Sequence, residues 1–272
     1  MAKQVDSVLP GWGLSLGVTL TFLSVLLLLP VSLLLLKVSE LSSSEIMAIV
    51  SSKRSLAALW LSVRTAIQAA AVNVIFGTLI AWVLVRYRFF GRRVLDACVD
   101  LPFALPTAVA GITLTTLLSP KGLYGSYLSE WGIDGAYSPF GITVALVFVG
   151  LPFVVRSVQP VLEDMNLDLE FAAMSLGASR LQTWVKVVLP SIVPAMVTGF
   201  SLAFARALGE YGSVVFIAGN MPLRTEILPL LIMTRLEQFN YGAACVLAAM
   251  MLFVSLVILL GTKFLDGGIR TR

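Results

Sequence analysis

The side chains in this sequence that could do chemistry fall into three small groups. Asp96 and Asp100 stand four residues apart, a spacing that puts both carboxylates on one helix face. Such a pair can hold a magnesium ion and, through it, a diphosphate, which would make the chain a diphosphate-handling membrane enzyme. That chemistry needs a second aspartate-rich helix end facing the first, and the sequence offers none. Arg92 lies one turn before Asp96, so an ion pair at a helix start is the simpler expectation. Arg206 and Glu210 repeat the four-residue spacing inside an apolar stretch. Charges at that depth are energetically costly and face a bundle interior or a cavity. The pair reads either as an anion-sensing gate or as two charges that neutralise each other. The third group is the polar-edged stretch Glu170, Phe171, Ala172, Ala173, Leu176 and Gly177.

Histidine is absent, which removes the commonest general base and metal ligand. A serine hydrolase or metalloprotease is equally unsupported, because no glycine-flanked nucleophile motif is present. Cys98 and Cys245 imply neither a disulfide framework nor a zinc site. They are expected near opposite membrane faces, too far apart to bond. The expectation is a chain with no catalytic residue, no metal site and no cofactor of its own.

The elements that must carry these groups are membrane helices. Of 272 residues, 58% are hydrophobic and only 12% charged, where soluble domains carry about a quarter. The net charge of +4 comes without a basic stripe or stacking motif, so membrane-edge lysines and arginines explain it better than nucleic acid does. Six apolar segments of about 20 residues can cross a hydrocarbon core. They are placed near 12–36, 65–85, 97–118, 140–158, 191–218 and 242–263. The first has only Lys3 ahead of it and no small-residue cleavage site behind it, so it reads as a retained helix. The dense basic cluster Arg86–Arg93 is expected in the cytoplasm, together with the 159–190 loop, the tail and both termini. The external 37–64 stretch is expected to hold a short amphipathic helix around Glu45 to Val50. No internal repeat is visible, which disfavours an autonomous secondary transporter. The expected organisation is an N-terminal segment over 1–60, one membrane domain over 61–264 and a tail over 265–272.

Two stretches depart from plain spanning helices. In the 159–190 loop, Asn166 or Asp168 can cap a helix whose first turn holds Glu170. Ala172, Ala173 and Leu176 give that helix a face of little bulk, and Gly177 ends it at low steric cost. Ser179 and Gln182 have capping-box spacing for a second helix, with Pro190 opening the next span. The small face can serve a partner protein or pack within an ordinary helical hairpin. In the third span, Pro102 and Pro106 each remove a backbone donor, so the helix should be bent or interrupted there. Pro152 and Pro194 are expected to add similar bends. Thr107, Thr113, Thr115 and Thr116 supply hydroxyls beside Gly111, though threonines often bond their own backbone.

The sequence resembles the permease subunits of ABC importers, whose cytoplasmic loop has the Glu-Ala-Ala…Gly pattern matched here by Glu170, Ala172, Ala173 and Gly177, with Phe171 as a bulkier departure. Within that class it is similar to the sulfate/thiosulfate permeases usually called CysT or CysU, over roughly residues 55–265. The pieces that carry this are Arg86-Tyr87 with Gly91, Asp100 through Gly111, Leu151 through Val161, Arg206 to Gly212, and Phe216 to Asn220. The resemblance implies an all-α, type I (MetI-like) permease in a bacterial inner membrane, with no covalent chemistry on this chain. It implies a second, CysW-like permease, two CysA-like ATPase subunits that hold ATP and magnesium, and a periplasmic sulfate-binding protein. The Glu170–Gly177 helix would be the coupling helix to the ATPase. Pro102, Pro106, Thr107, Gly111, Arg206 and Glu210 are the candidate pathway or gate residues. Molybdate and tungstate are tetrahedral dianions of similar shape and stand as the alternative substrates.

Overall fold

The computed structural model describes residues 11–270, with side chains described to residue 262. Lys3 and the side chains of Lys263, Arg270 and Arg272 lie outside that description. Every regular element among the described residues is helical. In chain order they are α1 (Trp12–Ser39), α2 (Ser43–Val50), α3 (Lys53–Arg86), α4 (Arg92–Val99), α5 (Leu101–Ala104), α6 (Thr107–Leu118) and α7 (Gly125–Glu130). There follow α8 (Pro139–Asp164), α9 (Asp168–Ser175), α10 (Arg180–Leu208), α11 (Val214–Ile217), α12 (Leu228–Glu237) and α13 (Tyr241–Arg270).

Five of these, α1, α3, α8, α10 and α13, are long and apolar enough to cross a membrane. The sixth expected span is not one helix. Residues 92–118 form three pieces, and Leu105 and Pro106 between α5 and α6 are extended. The longest piece, α6, has 12 residues and rises about 18 Å, short of the roughly 30 Å hydrocarbon core. Its prolines are the cause, since Pro106 forces the preceding residue out of the helical region. Pro152 and Pro194 act differently: α8 and α10 continue through them as unbroken helices. The fifth span also ends sooner than its hydropathy suggested, at Leu208, with Gly209 to Ser213 forming a loop before the single turn of α11.

α3, α8 and α10 pack against one another and form the centre of the bundle. Apolar area gives no driving force between helices in lipid, so close approach of small side chains must hold them together. Their contact faces are accordingly rich in Ala66, Ala69, Ala70, Gly77, Gly199 and Ala203. A methyl group on Gly199 would stand 2.9 Å from the Val154 Cα, so α10 meets α8 nearly backbone to backbone. α3 has 34 residues, roughly 50 Å of helix, and so extends past the hydrocarbon. Near its start Arg54 makes a two-point ion pair with buried Glu226, at 2.7 and 2.6 Å. Ser62 accepts the Leu228 N–H at 2.7 Å, fixing α12 beside α3. α2 opens with a complete capping box from Ser42 and Glu45, which places the short helix expected around Glu45 to Val50. α1 lies along α13 through its later half, where Val31, Leu34 and Val38 are half-buried, and its first half is exposed.

Candidate functional site

The loop between α8 and α10 presents a short helix outside the bundle. Asn166 accepts the Asp168 N–H through its side chain at 2.9 Å, an Asx turn just ahead of α9, whose N-cap is Leu167 rather than either expected residue. Leu176 caps the other end, and Gly177 follows with φ +85°, a left-handed conformation that glycine adopts without strain. The Gly177 N–H bonds the Met174 carbonyl at 2.9 Å and the Ala178 N–H bonds that of Ala173 at 3.1 Å, a Schellman end. Phe171, Ala172, Met174 and Leu176 are exposed and Ala173 is half-buried, which leaves an apolar face without a partner on this chain. The second loop helix is not separate. Ser179 and Gln182 form the capping box, but the helix then runs through a π-helical turn at Trp184–Val188 directly into α10. Pro190 therefore lies within the continuous helix rather than opening a span.

A buried ion pair ties α9 to α3, beside its packing on the start of α10. Glu170 accepts from Arg86, the last residue of α3, at 2.7 Å, and both side chains are more than four-fifths buried. The Arg86 guanidinium also sits 5.5 Å from the centre of the Trp82 ring. Around them Trp82, Arg86, Glu170, Arg180 and Trp184 line a cleft of about 610 Å³. The pair thus joins α9 to the last residue of α3, a helix long and apolar enough to cross a membrane.

The candidate gate residues come together at the broken segment. Gly111 on α6 lies against the loop after α10, where a methyl group would meet the Ser213 carbonyl oxygen at 2.4 Å. A methyl group on Gly212 would in turn meet the Thr107 Oγ1 at 2.1 Å. Pro102 is buried, and the neighbouring Phe103 packs edge-on against Phe153 of α8, with ring centres 5.2 Å apart. Thr113, Thr115 and Thr116 donate to backbone carbonyls one turn back in α6. Arg206 lies in the last turn of α10 and forms an ion pair with Glu210 at 2.5 Å. Glu210 is buried and also accepts from the Ser213 N–H and hydroxyl at 2.9 and 3.0 Å. Pro106, Thr107, Gly111, Arg206 and Glu210 therefore belong to one region, joined by the 209–213 loop.

Asp96 and Asp100 are engaged otherwise than their spacing suggested. Arg156 on α8 donates to Asp96 at 2.7 Å and to both Asp100 oxygens at 3.0 and 2.6 Å. The expected Arg92 pairing does not occur, because Asp96 faces α8. A guanidinium between the two carboxylates fills the place a magnesium ion would need and offsets one of their two charges, so the structure gives the diphosphate-enzyme reading no support. Among the described residues no cluster of three acidic, cysteine or histidine side chains could hold a metal. Cys98 and Cys245 are both free thiols.

Comparison with known proteins agrees with this architecture. The family described as "Binding-protein-dependent transport system inner membrane component" matches residues 73–271. The chain belongs to this family. Among curated relatives of this transport family, the Salmonella typhimurium "Sulfate transport system permease protein CysT" is 48% identical over 266 residues, 98% of this chain and 96% of the relative. The Escherichia coli protein of the same name is 47% identical, covering 95% and 94% of the two chains. The one from Synechocystis is 46% identical, covering 89% and 85%. Solved structures match in fold. A chain of a bacterial alginate ABC transporter, in complex with an alginate pentasaccharide-bound periplasmic protein, matches with TM-score 0.74 at 19% identity, over 93% of this chain and 92% of that one. A chain of the inward-facing MetNI methionine ABC transporter matches with TM-score 0.58 at 16% identity, over 85% and 99%.

Three residues that matter to this membrane component escaped the sequence reading of the site. Arg86 stood out as the first of a basic cluster and in the family resemblance, but neither pointed to its partner, 84 residues away. Arg156 was one residue in an apolar run, with nothing local to show that it reaches α4. Gly212 stood beside Glu210 without any sign that Thr107 fills the space a side chain would take.

Proposed function

We propose that this chain is the permease subunit of an ATP-driven importer for sulfate and thiosulfate, and that it forms half of the anion pathway. It performs no covalent chemistry. ATP and magnesium belong to two CysA-like ATPase subunits, a CysW-like permease supplies the other half, and a periplasmic binding protein delivers the anion. In this reading the protein crosses the bacterial inner membrane with both termini in the cytoplasm. The observation that carries the proposal is α9, an exposed apolar helix anchored to a spanning helix by the buried Arg86–Glu170 pair. The substrate comes from the near full-length similarity to sulfate permeases.

The mechanism is mechanical. The ATPase grips Phe171, Ala172, Ala173 and Leu176, and its closure displaces α9. Glu170 passes the displacement to Arg86 and so to α3, which packs on α8 and α10. Because α4 and α5 meet at Asp100, and α5 and α6 at Leu105–Pro106, these separate pieces can shift relative to one another without breaking helical hydrogen bonds. That shift moves α6 against the 209–213 loop and changes access past Thr107, Gly111 and Arg206. The test is uptake of labelled sulfate by membrane vesicles carrying the complete complex, with and without internal ATP and with molybdate as competitor. ATP-dependent sulfate uptake, lost when α9 is altered, is the expected outcome. Uptake that persists without the ATPase subunits, or that takes molybdate in preference to sulfate, would overturn the reading.

A further inference from the structure

Beyond Arg86, the turn that follows α3 takes no part in the contacts above. It reads Arg86-Tyr87-Arg88-Phe89-Phe90-Gly91-Arg92-Arg93, four arginines and three aromatic residues in eight positions. Its place is set by α3, whose last residue is Arg86, so the turn begins at the end of a helix long and apolar enough to span the membrane. Gly91 has φ +88° and the Arg92 N–H returns to the Phe89 carbonyl at 3.3 Å, which leaves Phe89 and Phe90 at the tip. The Phe90 side chain is wholly exposed, and Tyr87, Phe89, Val94 and Leu95 are exposed around it. Arg88, Arg92 and Arg93 have no ion-pair partner among the described residues. Together Arg88 to Val94 line a shallow hollow of about 490 Å³.

An apolar tip ringed by uncompensated positive charge, at the end of a spanning helix, has a complement in the lipid itself. Lipid acyl chains take the aromatic rings and anionic headgroups take the guanidiniums, whose forked donors match phosphate oxygens. We propose that the Arg86–Val94 turn is a binding site for anionic phospholipid, with Phe89 and Phe90 among the acyl chains and Arg88, Arg92 and Arg93 around the phosphate. The site leads directly into α4, the first piece of the broken segment, which Arg156 joins to α8. Lipid held there fixes one end of that segment to the leaflet, independently of what the permease transports.

The test places an environment-sensitive nitrobenzoxadiazole dye at Phe90→Cys in a chain carrying Cys98→Ser and Cys245→Ala, reconstituted in nanodiscs. The dye is quenched by bromine on the acyl chains of phosphatidylglycerol or of phosphatidylcholine, in discs otherwise matched in composition. Quenching should be stronger from phosphatidylglycerol. In the Arg88→Gln/Arg92→Gln/Arg93→Gln background that preference should fall by up to about fivefold per arginine removed, while the dye stays in lipid. Equal quenching by both lipids in the native turn would overturn the headgroup site. A dye that neither lipid quenches would place the tip in water and overturn membrane contact altogether. Shielding that arises only when ATPase subunits are added would assign the turn to a protein partner instead, against the proposal.

Discussion

Glu210 has two hydrogen-bond donors and one counter-charge within reach. Its side chain is 2% exposed, and Arg206, the counter-charge, is 36% exposed. The donors are the Ser213 N–H and hydroxyl, both neutral. Arg206→Met therefore leaves a buried carboxylate with hydrogen bonds but no opposing charge. Breaking a buried pair from one side costs about 3–5 kcal/mol, and the exposure of Arg206 argues for the lower end, about 3 kcal/mol. Glu210→Gln is the milder change. It keeps an acceptor for Ser213 and leaves a guanidinium that can still reach solvent, for about 1 kcal/mol. At roughly 2–4 °C per kcal/mol for a chain of this size, Arg206→Met should lower Tm by about 6–12 °C and Glu210→Gln by at most about 4 °C. The double variant should regain most of the loss, because no charge is then left buried. Thermal melting of the purified complex, with sulfate uptake measured on the same preparations, reads both effects. Additive losses would refute mutual neutralisation. So would an Arg206→Met complex that melts like the native protein but no longer transports, which would put the arginine on the anion instead.

Three further expectations follow from particular contacts. Gly177 has open space around it, so Gly177→Leu should fail through its left-handed backbone, by about 1–2 kcal/mol, rather than by collision. Gly177→Asn should then hold the ATPase normally in pull-down while Gly177→Leu loses both association and uptake, and equal behaviour of the two would contradict this. Gly111→Ala should destabilise by about 1–3 kcal/mol in thermal melts, because the added methyl meets Ser213 backbone that cannot step aside; an unchanged Tm would mean that α6 moves freely from the 209–213 loop. Single cysteines at Ser43 and Arg93, in a chain lacking Cys98 and Cys245, should label from opposite sides with an impermeant thiol reagent, Arg93→Cys from the cytoplasm. Labelling of both from outside would break the span order, and labelling of Arg93→Cys alone from outside would invert it.

Local pattern sufficed for the features that depend on neighbours in the chain. The apolar runs located the five spanning helices, because in lipid a helix must satisfy its backbone within itself. Prolines at 102 and 106 announced the broken third segment, since the missing donors and ring clashes act within one turn. The Ser42–Glu45 and Ser179–Gln182 boxes and the end of α9 at Gly177 were legible for the same reason. Arg206 and Glu210 met as their spacing required. Tertiary structure decided everything that needed a second segment. Asp96 and Asp100 looked like a cation site because their spacing says nothing of Arg156, which lies 60 and 56 residues away. Two loop helices looked separable from the spans, yet one runs on into α10 while the other is tied to α3 by Arg86. Gly111 and Gly212 could be called small but not essential until α6 and the 209–213 loop were seen at backbone contact. Helix periodicity and capping are set within a few residues, whereas charge pairing and close packing between helices depend on which faces the assembled bundle turns toward each other.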